Sequence, residues 1–242
     1  MKYVVSALFW LVFGLTALAG FVVGLLVALY SAATDPDRRL VHAFICAWST
    51  TYLRLWPGWK VEVTGREKIP AGACVLVANH QSMADIVACM FLRAQFKFVS
   101  KASLFSLPLV GWMMHLARYV SVVRGRPRSM WQMMEDCRTW LGRGMPVLIF
   151  PEGTYAEGGE LLPFKRGAFE LAIQSKVPLV PVLLTGTTGL VVGDGPWLSP
   201  RCHVRVAVQD PVPVGELGED AEALGQRVRE RYQALLRRGA GG

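Results

Sequence analysis

The chain has 242 residues, of which 52% are hydrophobic and 18% charged, and its mean hydropathy is +0.34. That balance excludes a disordered chain, and 24 glycines and 14 prolines without a triplet period exclude a collagen-like one. The formal net charge of +8, from 26 Lys and Arg against 18 Asp and Glu, suits anionic partners, either lipid headgroups or nucleic acid.

The apolar excess lies at the amino end. After Lys2, the run from Tyr3 to Ala33 carries no charged residue. It exceeds the roughly 20 apolar residues that cross a bilayer and is about twice the apolar core of a cleaved signal peptide, so it predicts a membrane helix. Asp35, Asp37, Arg38 and Arg39 break it. Leu40 to Trp56 is a weaker apolar stretch containing His42, Cys46, Ser49, Thr50, Thr51 and Arg54. It predicts a re-entrant or interfacial helix with Trp48, Tyr52, Arg54 and Trp56 at the headgroup level. One span plus an interfacial helix, or a two-helix hairpin dipping into one leaflet, both satisfy the pattern. The Lys/Arg excess after the first helix places the remainder on the cytoplasmic side of the cytoplasmic membrane. Residues 1–56 are thus expected to form a membrane anchor and residues 57–242 a single αβ domain.

From Lys60 the periodicity changes. Strands are predicted at Lys60–Thr64, an edge strand closed by Gly65, and at Cys74–Ala78, Phe96–Val99, Tyr119–Val123, Pro146–Phe150, Leu179–Leu184 and His203–Val208. Helices are predicted at Asp85–Leu92, at Pro108–Ala117, from a Ser129 cap to Leu141, at Lys165–Ser175 and at Ala221–Arg238. Strands alternating with helices give an α/β layered domain. The five cysteines are scattered without C-x-x-C spacing, which predicts neither a disulfide framework nor a zinc site. No helix-turn-helix, zinc-finger or aromatic-rich strand signature accompanies the charge, so nucleic acid is not expected as a partner.

Two segments carry candidate chemistry. Asn79-His80-Gln81-Ser82-Met83-Ala84-Asp85 directly follows a predicted strand, where open α/β sheets place ligands. On a continuous helix, residues five apart are turned about 140° from each other. His80 and Asp85 can meet only if His80 lies in a turn before the helix, with Ser82 as a cap. A carboxylate on one ring nitrogen fixes the tautomer and leaves the other nitrogen as a base; the competing reading is an ordinary satisfied polar pair. His42, His115 and His203 have no such acidic neighbour, and no serine or cysteine sits in a G-x-S-x-G elbow. Phe150-Pro151-Glu152-Gly153-Thr154 follows another strand and forms either a plain strand-ending turn or an anion cradle. Lys101, Arg124, Lys165 and Arg166 stand at strand or helix ends and suggest a phosphate site.

Asn79-His80-x4-Asp85, Phe150-Pro151-Glu152-Gly153-Thr154 and Val177-Pro178-x-x-Pro181 together resemble the motif pattern of the glycerolipid acyltransferase family, and within it the 1-acylglycerol-3-phosphate acyltransferases. The resemblance implies acyl transfer from a thioester, acyl-CoA or acyl carrier protein, to a lysophospholipid hydroxyl at a membrane, with neither cofactor nor metal. It implies His80 as general base, Asp85 as its orienter, and Glu152, Gly153 and Thr154 with Arg124 as the acceptor site. Lys101 and Arg166 are expected to assist, and Val177–Pro181 is expected to shape the acyl pocket. Two positions depart from the family pattern: Tyr155 stands where an arginine is usual and Val123 where an aspartate is usual. A different lysolipid acceptor, lyso-aminolipid or lysophosphodiester, is the alternative these departures raise. A non-catalytic membrane-anchored lipid-binding module is the other.

Overall fold

Short, continuously apolar runs such as Val75–Ala78 and Val147–Ile149 bury both of their faces, which is the habit of central parallel strands. The computed structural model describes residues 2–156, 158–190, 196–214 and 220–239. In chain order its elements are α1 (Lys2–Tyr30), α2 (Arg39–Leu55), β1 (Trp59–Thr64), β2 (Val75–Ala78), α3 (Ala84–Met90), β3 (Lys97–Lys101), α4 (Ala102–Phe105), α5 (Val110–Leu116), β4 (Val120–Val122), α6 (Pro127–Gly142), β5 (Val147–Ile149), α7 (Gly167–Ser175), β6 (Leu179–Thr185), β7 (Cys202–Val208) and α8 (Ala221–Gly239). The strands form one sheet in the order β1-β7-β6-β2-β5-β3-β4. All neighbours are parallel except β6 and β7. The expected α/β class holds, and β1 is the edge strand that its alternation predicts.

Alternate residues along each strand feed two cores. Leu76, Ala78 and Leu148 face α2, α3 and α5 through Val41, Cys89, Met90 and Met113. Val75, Val77 and Val147 face α6, α7 and α8 through Cys137, Phe169 and Tyr232. Pro181 interrupts the sheet centre: it pairs with Val77 in register but has no N–H to give. The fully buried Tyr232 of α8 fills that gap. Its hydroxyl donates to Val77 O at 2.6 Å and accepts from Val182 N at 2.8 Å.

The first two helices pack on this body. The inner stripe of α1 is Val5, Ser6, Ala17, Gly20, Gly24 and Ala28, mostly small residues that permit close approach. A Cβ built on Gly20 would overlap the Trp48 ring, and one on Gly24 would overlap Met113. Trp48 and Tyr52 therefore turn inward onto α1 rather than outward as expected, and Tyr52 Oη lies 2.7 Å from Thr16 Oγ1. The link between α1 and α2 is pinned by the buried Lys97, whose Nζ donates to Asp37 O at 2.6 Å and Ala117 O at 2.7 Å. Desolvation lowers the Lys97 ammonium to about 8, the charges of Asp37 and Asp35 opposing the shift.

Several element limits differ from the sequence reading, and one helix is new. α6 begins at Pro127, which suits a first helical turn, and the Ser129 hydroxyl instead accepts from Val123 N at 2.9 Å. α5 begins at Val110, because Leu109 turns the chain with φ 63°. The four-residue α4 between β3 and α5 was not signalled by any period.

Gly20→Leu should destabilise the chain by about 1–3 kcal/mol through overpacking, whereas Gly14→Leu, where nothing lies within 4 Å, should leave the melting temperature in detergent unchanged. Tyr232→Phe strands two buried backbone groups and should cost about 1–3 kcal/mol in the same measurement.

Candidate active site

Because β6, β2, β5, β3 and β4 run parallel, the segments that leave their carboxyl ends share one edge of the sheet. Asn79 and His80 leave β2, Phe150–Tyr155 leave β5, Lys101 ends β3, and Val123–Arg124 leave β4. The Asn79 side chain locks β2 to β6, donating to Leu184 O at 3.0 Å and accepting from Leu184 N at 2.7 Å. His80 then lies in a turn outside any helix, and Asp85 in the first turn of α3. Their separation is the short one that this placement allows: His80 Nδ1 is 2.7 Å from Asp85 Oδ2.

The same carboxylate oxygen also accepts from Gln81 N at 2.5 Å and Ser82 N at 2.8 Å. Met83 rather than Ser82 occupies the N-cap position of α3, without a side-chain bond, and the Ser82 hydroxyl one residue earlier accepts from Ala84 N at 3.1 Å. Asp85 is fully buried, its Oδ1 has no hydrogen-bond partner among the described residues, and His80 is 5% exposed. The imidazole stacks on Phe150, with ring centroids 4.1 Å apart and planes 7° apart. Tyr155 meets it at an edge, 5.0 Å away and at 74°. An imidazole with Nδ1 held by a carboxylate can take a proton from a hydroxyl at Nε2.

Glu152 is turned inward. Its Oε1 accepts from His80 N at 2.6 Å and its Oε2 from Leu162 N at 2.7 Å, and the side chain is buried. Both oxygens are engaged by the protein, so Glu152 holds the His80 backbone, where the sequence reading expects an acceptor contact. Gly153, with φ +71°, makes the turn, and Thr154 and Tyr155 are exposed beyond it. Arg166 is directed away, paired with Glu170 one helical turn on at 2.9 Å. Its neighbour Lys165, another of the four cations that suggest a phosphate site, places Nζ against Gly153. Lys101 and Arg124 are exposed on the same edge. At a strand spacing near 4.8 Å, the strand carrying Arg124 lies about 14 Å from that of His80.

An apolar cavity of about 390 Å³ adjoins this edge. Met83, Ala84 and Phe98 wall it on the His80 side, and Phe9, Trp48 and Tyr52 wall it from α1 and α2. Phe98 in turn meets Phe150 edge-on at 5.6 Å, directly beneath the imidazole stack. Val177–Pro181, expected to shape this pocket, is not part of its wall; those residues enter β6 at the opposite edge of the sheet. Among the described residues no three His, Cys, Asp or Glu side chains gather as a metal-binding group.

Residues 60–185 match the model of the Acyltransferase family, more than half of the chain. The chain belongs to the acyltransferase family. It is 39% identical over 226 residues to the 1-acyl-sn-glycerol-3-phosphate acyltransferase of Chlamydomonas reinhardtii, covering 92% of this chain and 66% of that one. It is 34% identical over 200 residues to the chloroplastic enzyme BAT2 of Brassica napus, covering 81% and 56%. With the alpha enzyme of Homo sapiens it shares 30% over 223 residues, covering 90% and 78%. The chain therefore spans 54 to 66% of the plant and algal relatives' length. Among solved structures, the 1-acyl-sn-glycerophosphate (LPA) acyltransferase PlsC of Thermotoga maritima superposes with a TM-score of 0.77 at 25% identity, covering 97% of this chain and 98% of that one. The family resemblance and the α/β fold read from the motifs are thus both upheld.

Burial pushes the Glu152 carboxyl up to about 7 from an ordinary 4.5, against the His80 and Leu162 amides, which favour the ionised form. A raised folded-state value means that the folded chain binds the proton more tightly than the unfolded one. The group's contribution to stability is full below about pH 4.5 and is lost as pH rises through about 7. Wild type should therefore lose thermal stability relative to Glu152→Gln between about pH 5 and pH 8; a pH-independent difference would contradict the buried, raised carboxyl.

Proposed function

We propose that this acyltransferase moves a fatty acyl group from a thioester, acyl-CoA or acyl carrier protein, to the sn-2 hydroxyl of 1-acylglycerol 3-phosphate, making phosphatidic acid for phospholipid synthesis. The observation that carries the reading is the His80–Asp85 pair, 2.7 Å apart, beside an apolar cavity lined from the membrane-type helices. The algal, plant and mammalian relatives are named for the same acceptor.

In the reaction, His80 Nε2 takes the proton of the acceptor hydroxyl as its oxygen attacks the thioester carbonyl. The carbon–sulfur bond breaks as the tetrahedral intermediate collapses, and the same proton passes from the imidazolium to the leaving thiolate. Asp85 keeps Nδ1 protonated and stabilises the imidazolium. Fixed N–H donors at an oxyanion contribute about 3–4 kcal/mol each, and Lys101 and the backbone amides of this edge are the candidates for that role. Gly153, Thr154 and Arg124 face the acceptor headgroup, and the cavity takes an acyl chain. No cofactor or metal enters this scheme.

Residues 1–56 serve as the anchor, with the body on the cytoplasmic face of the cytoplasmic membrane. α1 is 29 residues long with a mean hydropathy of 2.5 in its most apolar window, and Leu11, Leu15, Leu18 and Leu26 of its outer face are exposed. One observation favours a second acceptor class, a lysophosphodiester or lyso-aminolipid: position 155 offers a phenol instead of a guanidinium.

The test is thiol release by purified protein in detergent, with palmitoyl-CoA or acyl carrier protein and a panel of lysolipids. His80→Ala should reduce turnover by about 10²–10⁴-fold, the span of general-base catalysis, with the melting temperature retained. Asp85→Asn should reduce it as well, by releasing the ring tautomer. Turnover only with phosphodiester acceptors would favour the second class. Silence with every acceptor and both donors would sink the enzyme reading and leave a lipid-binding module.

A further inference from the structure

The turn after β5 carries a cation that the motif residues do not include. A methyl group built on Gly153 would lie 2.7 Å from Lys165 Nζ and 3.2 Å from its Cε, so the lysine stem lies across the turn. Its backbone is fixed there as well, Lys165 N donating to Pro151 O at 2.9 Å. The side chain is exposed, and among the described residues no carboxylate pairs with it. The acid within the turn, Glu152, has both oxygens taken by backbone amides and faces inward. On the far side of the turn, Tyr155 brings a neutral ring against His80.

We propose that Lys165 binds the phosphate of the acceptor headgroup and sets the preference for a phosphomonoester, an assignment that rests on the acyl-transfer reading above. An anion docked on Thr154 and the Gly153 turn meets this ammonium first. An ammonium is a compact point charge with three donors, which gains most from a small, doubly charged group. A phosphodiester presents one charge and a bulky ester arm, and gains less. The neutral Tyr155 leaves the imidazole free of an adjacent guanidinium, whose positive charge would oppose uptake of the hydroxyl proton. The charge the headgroup needs then comes from the next segment of chain, through Lys165.

The test uses the full chain in detergent with Lys165→Ala and Lys165→Arg. In Lys165→Ala the KM for 1-acylglycerol 3-phosphate should rise roughly tenfold or more, the usual loss of one charge-assisted hydrogen bond. The KM for palmitoyl-CoA should stay unchanged, kcat should change little, and Lys165→Arg should recover most of the loss. The preference for 1-acylglycerol 3-phosphate over its phosphodiester analogues should narrow in Lys165→Ala. Independently of turnover, sn-glycerol 3-phosphate should raise the melting temperature of wild type and of Lys165→Arg but not of Lys165→Ala. An unchanged acceptor KM and an unchanged melting shift in Lys165→Ala would overturn the proposal. So would equal loss for acceptor and donor without rescue by arginine, the mark of a structural role. If wild type transfers no acyl group yet its glycerol phosphate shift depends on Lys165, the phosphate assignment stands and the acyl-transfer reading falls.

Discussion

One carboxylate oxygen organises the loop on which the site depends. Asp85 Oδ2 accepts from His80 Nδ1, Gln81 N and Ser82 N, so a single buried anion fixes both the ring and the backbone that carries it. The cost of burying that charge is offset only because all three donors converge on it. Asp85 sits in the first turn of α3, where free helical N–H groups favour a negative charge. Glu152 performs the matching task from β5, taking His80 N and Leu162 N. Two acids, one in the first turn of α3 after β2 and one in the turn after β5, therefore hold one histidine, and β2 and β5, adjacent and parallel, fix the segments that carry them.

Much of this was legible because the central strands are short, continuously apolar and followed at once by polar motifs. A parallel sheet puts every such motif on one edge, so the order strand-then-motif already implies proximity of His80 to the β5 turn. The five-residue spacing of His80 and Asp85 was also informative, since it excludes a continuous helix between two residues that are to touch. The inward turn of Glu152 could not be read, because its partner His80 N lies 72 residues away and Leu162 N belongs to a loop without periodic pattern. The Tyr232 hydroxyl, 50 residues from the strand it completes, carried no local signal either. Its need was visible, however: Pro181 in a central strand leaves a neighbouring carbonyl without a donor.

Lys165 and Arg166, both among the cations that suggest a phosphate site, are separated by their local surroundings. Adjacent residues at the start of a helix project in different directions, and only one of them can face the β5 turn. Arg166 has an acid four residues on, Glu170, and i,i+4 pairs of opposite charge meet on a helix surface. That spacing removes Arg166 from the candidates and leaves Lys165, which precedes α7 and lies across Gly153. The proline-containing segment at Val177–Pro181 misled for a different reason. Its position in the motif order suggested a place at the site, whereas the direction of β6 puts its start at the edge remote from His80.

The same geometry gives α1 two incompatible-looking faces. Leu11, Leu15 and Leu18 point away from the body with no protein to cover them, while Phe9 and Phe13 complete the wall of the apolar cavity. A simple tether needs only the first face. The second requires fixed depth and rotation, which the Gly20–Trp48 and Gly24–Met113 contacts and the Ser6 hydroxyl, accepting from Leu198 N at 2.7 Å, supply. On the proposed reading, with α1 in lipid, an acyl chain would pass from bilayer to cavity along one helix without crossing water. The apolar helix is then part of the site's architecture, and its register against α2 bears on the cavity as directly as the residues of the sheet edge do.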